Sequence, residues 1–218
     1  MNTKNNDPLS DFHDYGANAK TREIFLQNYP EHDGNPGVDY KTANCFIKNL
    51  RALELSSNKD ILIHLYSIGG EWNDCMAIYD TIKNSKSTTT MLSYGQTESA
   101  STIILQASKT RILMPNSYFM IHYGTSGYIG HYLSVQNWSN YEKHICDIMI
   151  EIYAHRCING LYFKEKKYTL DKVKKYLYKK LKDGDWYLKP EEAVYYGFAD
   201  GVLGSRKHPN IDSLISNT

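Results

Sequence analysis

The sequence lacks several features that mark whole classes of protein. It has 4 cysteines in 218 residues, and even the closest pair, Cys146 and Cys157, is too widely spaced for a CxxC zinc or thiol-redox motif. No run approaches the roughly 18 apolar residues of a membrane span. The 25 basic and 24 acidic residues give a net charge of +1, which argues against a nucleic-acid binder with a broad basic face. We therefore predict reduced thiols, no membrane or nucleic-acid partner, and no bound metal or cofactor.

The two ends of the chain are polar, whereas its middle is apolar enough to form a core. Hydrophobic residues make up 41% of the chain, which suits one domain of moderate size. We predict a flexible N-terminal arm over residues 1–21, a folded domain over residues 22–204 and a polar C-terminal tail over residues 205–218. The arm lacks the apolar core of a signal peptide, so we expect a cytoplasmic protein.

Strand and helix patterns alternate through the first half of the chain. Strands are predicted at residues 22–26, 61–66, 88–92, 111–114 and 118–122. Helical spacing follows Asp39, continues in the stripe from Trp72 to Ile82, and returns at about residues 99–107. This order predicts an α/β domain with parallel strands and right-handed crossovers. Functional residues are then expected at the carboxyl ends of strands, where helices begin.

The second half of the chain is mainly helical. Apolar residues recur at helical spacing from residue 131 to 157, starting with Trp138 and Tyr141. A helix this long with a broad apolar stripe either contacts a partner beyond its own domain or packs on its own sheet. A lysine-rich helical segment follows over residues 164–182, and its lysines are expected to face solvent. A short extended piece from Asp185 then leads to a helix that begins at Pro190.

Three side chains at predicted strand ends could carry chemistry. Ser99 opens a helix, whose free N–H groups and positive dipole end suit both a nucleophile and an oxyanion. On its own Ser99 is more simply explained as an N-cap, and Ser101 competes with it for either role. His122 ends a strand, while His64, within another apolar strand, is its rival. Asp185 could orient an imidazole, and a turn residue would look the same.

The Gly-Gly pair at residues 69–70 also follows a predicted strand. Two glycines allow close approach of the backbone to a ligand. The pair does not belong to a phosphate-binding loop, because the Lys-Ser/Thr ending and the GxGxxG spacing are absent. The sequence also has no HExxH zinc motif and no GxSxG nucleophile elbow. Nucleotide, zinc-peptidase and α/β-hydrolase chemistry therefore have no signature here.

Taken in order, these segments resemble the proteolytic subunit of the Clp protease, ClpP. The matching segments are Ser-Ile-Gly-Gly at 67–70, Met-Ala-Ile-Tyr-Asp-Thr at 76–81, Gly-Gln-Thr-Glu-Ser at 95–99, Pro-Asn-Ser at 115–117 with Met-Ile-His at 120–122, Gly-Tyr-Ile-Gly at 127–130, and the Asp and Glu-Glu-Ala…Tyr-Gly positions within 185–197. The resemblance runs from about residue 22 to 203. It implies an α/β ClpP/crotonase-like fold, with repeated β-α units in the head and a protruding handle helix over about residues 123–160.

The resemblance also implies an activity and a mode of assembly. It implies a serine endopeptidase that hydrolyses unfolded polypeptides or peptides inside a ring-shaped chamber. Ser99 would be the nucleophile, His122 the general base, Asp185 the residue that orients the imidazole, and the amides of Gly70 and Ala100 the oxyanion hole. The family's assembly implies heptameric rings of this chain stacked in pairs, a tetradecamer. It further implies an AAA+ Clp-type unfoldase that uses ATP and delivers unfolded protein substrates.

The chain departs from the family pattern near the expected site. Ile68 replaces the family's proline, Glu98 places a carboxylate beside the nucleophile, and Gly184 replaces a common arginine. These changes leave open a catalytically impaired ring subunit with a structural or regulatory role. A phage prohead-type protease and a crotonase-like acyl-thioester enzyme without a serine nucleophile are further uses of the same fold. The complete set of serine, histidine and aspartate favours the peptidase.

Overall fold

A single eight-stranded sheet organises the residues that the computed structural model describes, 11–26 and 37–215. Its strands are β1 (Ala17–Asn18), β2 (Glu23–Leu26), β3 (Ile61–Ser67), β4 (Thr89–Glu98), β5 (Thr110–Leu113), β6 (Tyr118–Ile121), β7 (Trp186–Leu188) and β8 (Gly201–Val202). Their order is β1-β2-β3-β4-β5-β8, with β6 beside the end of β4 and β7 beside β6. Strand β1 pairs antiparallel with β2, and β7 pairs antiparallel with β6; all other pairs are parallel.

Seven α-helices connect and cover the strands. They are α1 (Tyr40–Ser56), α2 (Trp72–Lys83), α3 (Ala100–Ala107), α4 (Tyr132–Cys157), α5 (Leu161–Glu165), α6 (Leu170–Lys182) and α7 (Pro190–Tyr196) in the described part of the chain. Local signals set several of their ends. The Asp39 side chain caps α1 by accepting a hydrogen bond from the Thr42 N–H at 2.9 Å. Gly197, with φ 85°, closes α7 in the left-handed conformation that glycine favours.

The sheet separates two apolar clusters because successive side chains of a strand point to opposite faces. Ile63 and Leu65 of β3 join the main core with apolar residues of α1, α2 and α3. The α3 helix is buried along its whole length. On the other face, Leu62 belongs to a smaller cluster that Leu214, from a 3₁₀ turn at Ile211–Leu214, helps to cover. The predicted α/β class with mainly parallel strands is confirmed.

Two predicted elements differ from the structure. The strand predicted at residues 88–92 was expected to stop before the turn at Gly95, but β4 continues to Glu98 because it changes partner, pairing with β5 in its first half and with β6 in its last residues. The lysine-rich segment is divided into α5 and α6 by Lys167, whose φ is 51°. Residues 17–18 of the predicted arm pair with β2. Residues 1–10 of that arm lie outside the described residues, as does most of residues 29–37, where two prolines and two glycines predict a loop.

The long helix α4 is exposed in its first half and buried near its end. Tyr132 and Leu133 are exposed, and full burial begins at Met149. The predicted stripe that begins at Trp138 is only partly covered within one chain. None of the helices in residues 11–26 and 37–215 is both long enough and apolar enough to span a bilayer.

Candidate active site

The pairing of β4 with β6 brings the predicted nucleophile beside the predicted base. These parallel strands place Glu98 opposite Met120, and the Ser99 N–H donates to the Met120 carbonyl at 2.9 Å. Ser99 and His122 therefore follow two adjacent strands at the same edge of the sheet. The sequence predicts this placement at carboxyl strand ends, but the neighbour relation of β4 and β6 comes from the structure.

Strand β7 brings the carboxylate to the same place from the opposite direction. It runs antiparallel to β6 and pairs Trp186 with Ile121, so Asp185 lies next to His122. The His122 Nδ1–H donates to Asp185 Oδ1 at 3.1 Å. On the other side of the ring, the Ser99 hydroxyl donates to His122 Nε2 at 2.8 Å. One imidazole thus joins the hydroxyl and the carboxylate.

Ser99 has a backbone conformation that is unusual for any residue other than glycine. Its φ is 54° and its ψ is −132°, and such geometry persists only where the surroundings hold it. Besides the bond to β6, its carbonyl accepts from the Thr102 N–H at 3.0 Å and from the Thr102 hydroxyl at 2.5 Å. This sharp turn between β4 and α3 places the Ser99 side chain, directly after the strand, at the rim of the sheet.

The structure separates the N-cap role of Ser99 from a catalytic role, and Ser99 from its rival Ser101. Ser99 does occupy the N-cap position of α3, but its side chain makes no capping hydrogen bond and contacts His122 instead. Ser101 is fully buried. Its hydroxyl accepts from the Glu98 N–H at 2.9 Å and lies 2.9 Å from the Ser67 carbonyl. Ser101 therefore holds the turn together and does not reach the imidazole.

His64 lies away from this site and is bound on both ring nitrogens. Its Nε2 lies 2.8 Å from Glu23 Oε2 and its Nδ1 lies 2.8 Å from the Tyr94 hydroxyl. The ring stacks on Phe25 with centroids 4.2 Å apart. The hydrogen bond from His64 lowers the pKa of the Glu23 carboxyl, although burial opposes this shift. The imidazole is thus a satisfied structural residue.

The glycine turn after β3 allows close packing of the backbone beside Ser99. The φ values of Gly69 and Gly70 are 98° and 145°. A Cβ on Gly70 would lie 2.2 Å from the Val38 carbonyl oxygen, and one on Gly69 would lie 2.7 Å from Ser99 Cβ. Gly70 and Ala100 both line the cavity at Ser99. The N–H of Ala100, in the first turn of α3, has no intrahelical acceptor.

A cavity of about 430 Å³ opens beside Ser99 and His122. Its apolar wall comes from three helices. Trp72 and Ile103 contribute from α2 and α3, and Ile145 and Met149 contribute from α4. Helical spacing shows which residues share a face but not which element lies opposite, so this wall could not be predicted from the sequence. The Gly-Gly pair before Trp72 is the signal that could have placed α2 here.

The charged and polar groups of this region have distinct surroundings. Glu98 does not belong to the described residues that line the cavity. Burial raises the pKa of the Cys146 thiol, and the carboxylates of Glu142 and Asp147 raise it further, so the thiol stays protonated. The Asp185 side chain is 51% exposed, so water screens its interaction with the imidazole in a single chain.

In the described part of the chain, His, Cys, Asp and Glu side chains form no group of three or more that could hold a metal ion.

Comparison with known proteins extends these observations to the whole chain. The structure matches that of a ClpP1 mutant from Listeria monocytogenes with a TM-score of 0.71 and 21% sequence identity. The match covers 94% of this chain and 99% of that one, so the two share a fold. The family described as Clp protease matches residues 13–206, which include every strand of the sheet and the three helices that wall the cavity. The chain therefore belongs to the Clp protease family.

Proposed function

We propose that this chain is a serine endopeptidase in which Ser99 is the nucleophile and His122 the general base. One observation carries the proposal: the His122 ring lies between the Ser99 hydroxyl at 2.8 Å and the Asp185 carboxylate at 3.1 Å. The first distance is within reach for proton transfer. The hydrogen bond to Asp185 holds the ring in the tautomer that leaves Nε2 free to accept the proton.

The proposed reaction follows from these positions. As Ser99 Oγ attacks the substrate carbonyl, its proton passes to His122 Nε2, and Asp185 stabilises the resulting imidazolium. The imidazolium then gives the proton to the amine as the C–N bond breaks, leaving an ester on Ser99. The same imidazole then deprotonates a water molecule, whose oxygen attacks the ester. As the acid product leaves, the imidazolium returns the proton to Ser99 Oγ.

Two backbone amides are proposed to stabilise the tetrahedral intermediate. Gly70 and Ala100 line the cavity beside Ser99, and donors fixed in advance at such a position stabilise developing negative charge. The hydrogen bond from Ser99 to His122 supports this reaction over a crotonase-like thioester reaction, which needs no serine hydroxyl.

The proposed setting is a chamber formed by copies of this chain. Membership of the Clp protease family and the exposed apolar residues Ile129, Tyr132 and Leu133 support heptameric rings stacked in pairs. The substrates would be unfolded polypeptides, delivered in the cytoplasm by an AAA+ unfoldase that hydrolyses ATP. A chamber of this kind restricts a broadly acting peptidase to chains that have been threaded into it.

Labelling with a fluorophosphonate tests the catalytic proposal. The probe should attach to Ser99, as located by mass spectrometry of the digested protein, and Ser99→Ala should abolish labelling. Ser126→Ala is the matched control, because Ser126 also lines the cavity but makes no contact with the imidazole in the described structure. Absence of labelling in the assembled protein, with normal labelling of another Clp peptidase, would contradict the proposal.

A further inference from the structure

The cavity beside Ser99 contains carboxylates and no basic side chain of lysine or arginine among its described lining residues. Glu71, at the N-terminus of α2, and Glu142, on α4, both line it. The neighbouring Cys146 thiol is protonated because burial raises its pKa. The charge of the cavity is therefore negative, apart from any proton that His122 holds. A substrate side chain that enters the cavity therefore meets negative charge.

Glu142 is the more enclosed of the two acids. It is half-buried, whereas Glu71 is exposed. Within residues 11–26 and 37–215, no hydrogen bond or ion pair engages the Glu142 carboxylate. A partly desolvated carboxylate without a partner gains more from a cation than a fully hydrated one does.

The framework around Glu142 is fixed by a contact between two helices. The hydroxyl of Tyr141, the preceding residue on α4, donates to Asn73 Oδ1 on α2 at 2.9 Å. Asn73 in turn follows Trp72, which forms part of the apolar wall. This bond keeps the acid on α4 and the aromatic wall on α2 in one arrangement, so the cavity combines an apolar passage with a carboxylate.

Few substrate side chains match that combination. Lysine and arginine have a long apolar stem that can lie along Trp72, Ile145 and Met149, and a cationic head that a carboxylate can bind. Glutamate or aspartate in the same place would face two carboxylates, which is unfavourable. Leucine would fill the apolar part and leave Glu142 without a partner.

We propose that this cavity selects a lysine or arginine side chain on the substrate residue that supplies the attacked carbonyl, and that Glu142 determines this specificity. The inference rests on the proposed function, because it assumes that Ser99 attacks a peptide bound here. The cavity surrounds Ser99, so the side chain of the acylated residue stays inside it after the amine has left. Glu71, at the exposed mouth, contributes less because water screens it.

The test compares the rates at which peptidyl diphenyl phosphonates label Ser99. The probes share one peptide sequence and differ only in the side chain next to phosphorus, which mimics lysine, arginine, leucine or glutamate. We expect the wild-type protein to react at least about tenfold faster with the lysine and arginine probes than with the glutamate probe, the range expected for a hydrogen bond to a charged group. In Glu142→Gln the ratio of lysine to leucine rates should fall by about tenfold.

Two further variants make the result independent of general damage to the protein. Glu142→Lys should shift the preference towards the glutamate probe. Glu191→Gln, which removes a carboxylate outside the cavity, should keep the wild-type ratios. A wild-type protein that reacts equally with all four probes overturns this inference and leaves the proposed function intact, and so does an unchanged lysine-to-leucine ratio in Glu142→Gln. Failure of Ser99 to react with any probe, including a fluorophosphonate, overturns the proposed function itself.

Discussion

At the scale of single residues, backbone strain coincides with the proposed nucleophile. Ser99 has φ 54° and ψ −132°, a conformation that costs a residue with a Cβ about 1–3 kcal/mol. The bonds that Thr102 and β6 make to its backbone hold it there. The strain therefore serves the position of the hydroxyl and not the stability of the fold.

This strain predicts an order of stability for two inactive variants. Both Ser99→Ala and Ser99→Gly remove the hydroxyl, but only glycine tolerates the left-handed conformation without a Cβ clash. We expect Ser99→Gly to be more stable than Ser99→Ala by about 1 kcal/mol. Urea unfolding, followed by far-ultraviolet circular dichroism, measures the difference. A Ser99→Ala protein that is equally stable would show that the turn is not strained.

An ion pair between the buried Arg111 and the partly exposed Asp200 predicts a dependence of stability on pH. Arg111 is buried, and its Nε and its backbone N–H each donate to Asp200 Oδ2 at 2.9 Å. Burial of Asp200 favours its protonated form, but the hydrogen bonds and charge of Arg111 outweigh burial and hold the pKa of Asp200 below its ordinary value. The folded state therefore binds the Asp200 proton less tightly than the unfolded state does.

The sign of the effect follows from that direction. The stabilising contribution of Asp200 is complete above its unfolded pKa of about 4 and is lost as the pH falls through the lower, folded pKa. Asp200→Asn should cost about 2 kcal/mol at pH 7 and less at pH 3, because the wild type has by then lost part of this contribution. Urea unfolding of both proteins at several pH values measures it. An equal cost at pH 7 and pH 3 would contradict the assignment.

At the scale of elements, the turn between β3 and α2 controls how closely the backbone approaches Ser99. Gly70 has no room for a Cβ, which would lie 2.2 Å from the Val38 carbonyl oxygen, whereas a Cβ on Gly184 would meet open space. Both glycines have positive φ values, 145° and 109°. Comparing substitutions at Gly70 and Gly184 therefore separates the effect of a Cβ clash from the effect of the backbone conformation alone.

The two glycines predict different consequences of the same substitution. Gly184→Ala should cost about 1 kcal/mol of stability, from the unfavourable φ alone, and should still react with a fluorophosphonate. Gly70→Ala must move the turn, so we expect Ser99 to react at least about a hundredfold more slowly, as the loss of one oxyanion donor would cause. Labelling rates and thermal unfolding of both variants check this. Equal labelling rates would show that the turn at Gly70 does not shape the site.

The elements also show what sequence patterns can and cannot predict. The alternation of strands and helices, and the position of Ser99 and His122 at strand ends, follow from local periodicity and were predicted. The length of β4 was not, because Gly95 resembles a strand end while the continuation depends on pairing with β6. The cavity wall was missed for the same reason. Which face of α4 meets Trp72 is a tertiary fact, and Glu142 has no local signal at all.

At the scale of the whole molecule, the C-terminal segment closes the second apolar cluster. Leu214 is 8% exposed and packs with Leu62, Leu92 and Ile112 on the face of the sheet away from the main core. The sequence analysis assigned this region to a polar tail, and the structure shows that one leucine in it is part of the core. Without Leu214 these three strand residues would lose an apolar neighbour.

This packing predicts that the tail contributes to stability. Leu214→Ala should lower the free energy of unfolding by about 2 kcal/mol, the smaller end of the range for a buried leucine. Leu55→Ala is the matched control, because Leu55 is 83% exposed and should change stability by less than about 0.5 kcal/mol. Urea unfolding of both variants measures the difference. Equal effects of the two substitutions would show that the C-terminal segment around Leu214 does not unfold together with the rest of the domain.

The exposed half of α4 carries the last prediction, which concerns assembly. Leu133 is 57% exposed in a single chain and follows Ile129 and Tyr132, which are more exposed still, so three large apolar side chains close in sequence face solvent. If copies of the chain cover this surface, as the proposed rings require, a charge placed there opposes association because it must lose its hydration. Leu133→Asp should therefore sediment as smaller particles than the wild type, whereas Leu55→Asp, on α1, should sediment unchanged. Sedimentation velocity and negative-stain micrographs of the three proteins distinguish these outcomes. Intact wild-type-sized particles of Leu133→Asp would show that the handle helix does not hold the assembly together, and the proposed chamber would then need a different contact between its rings.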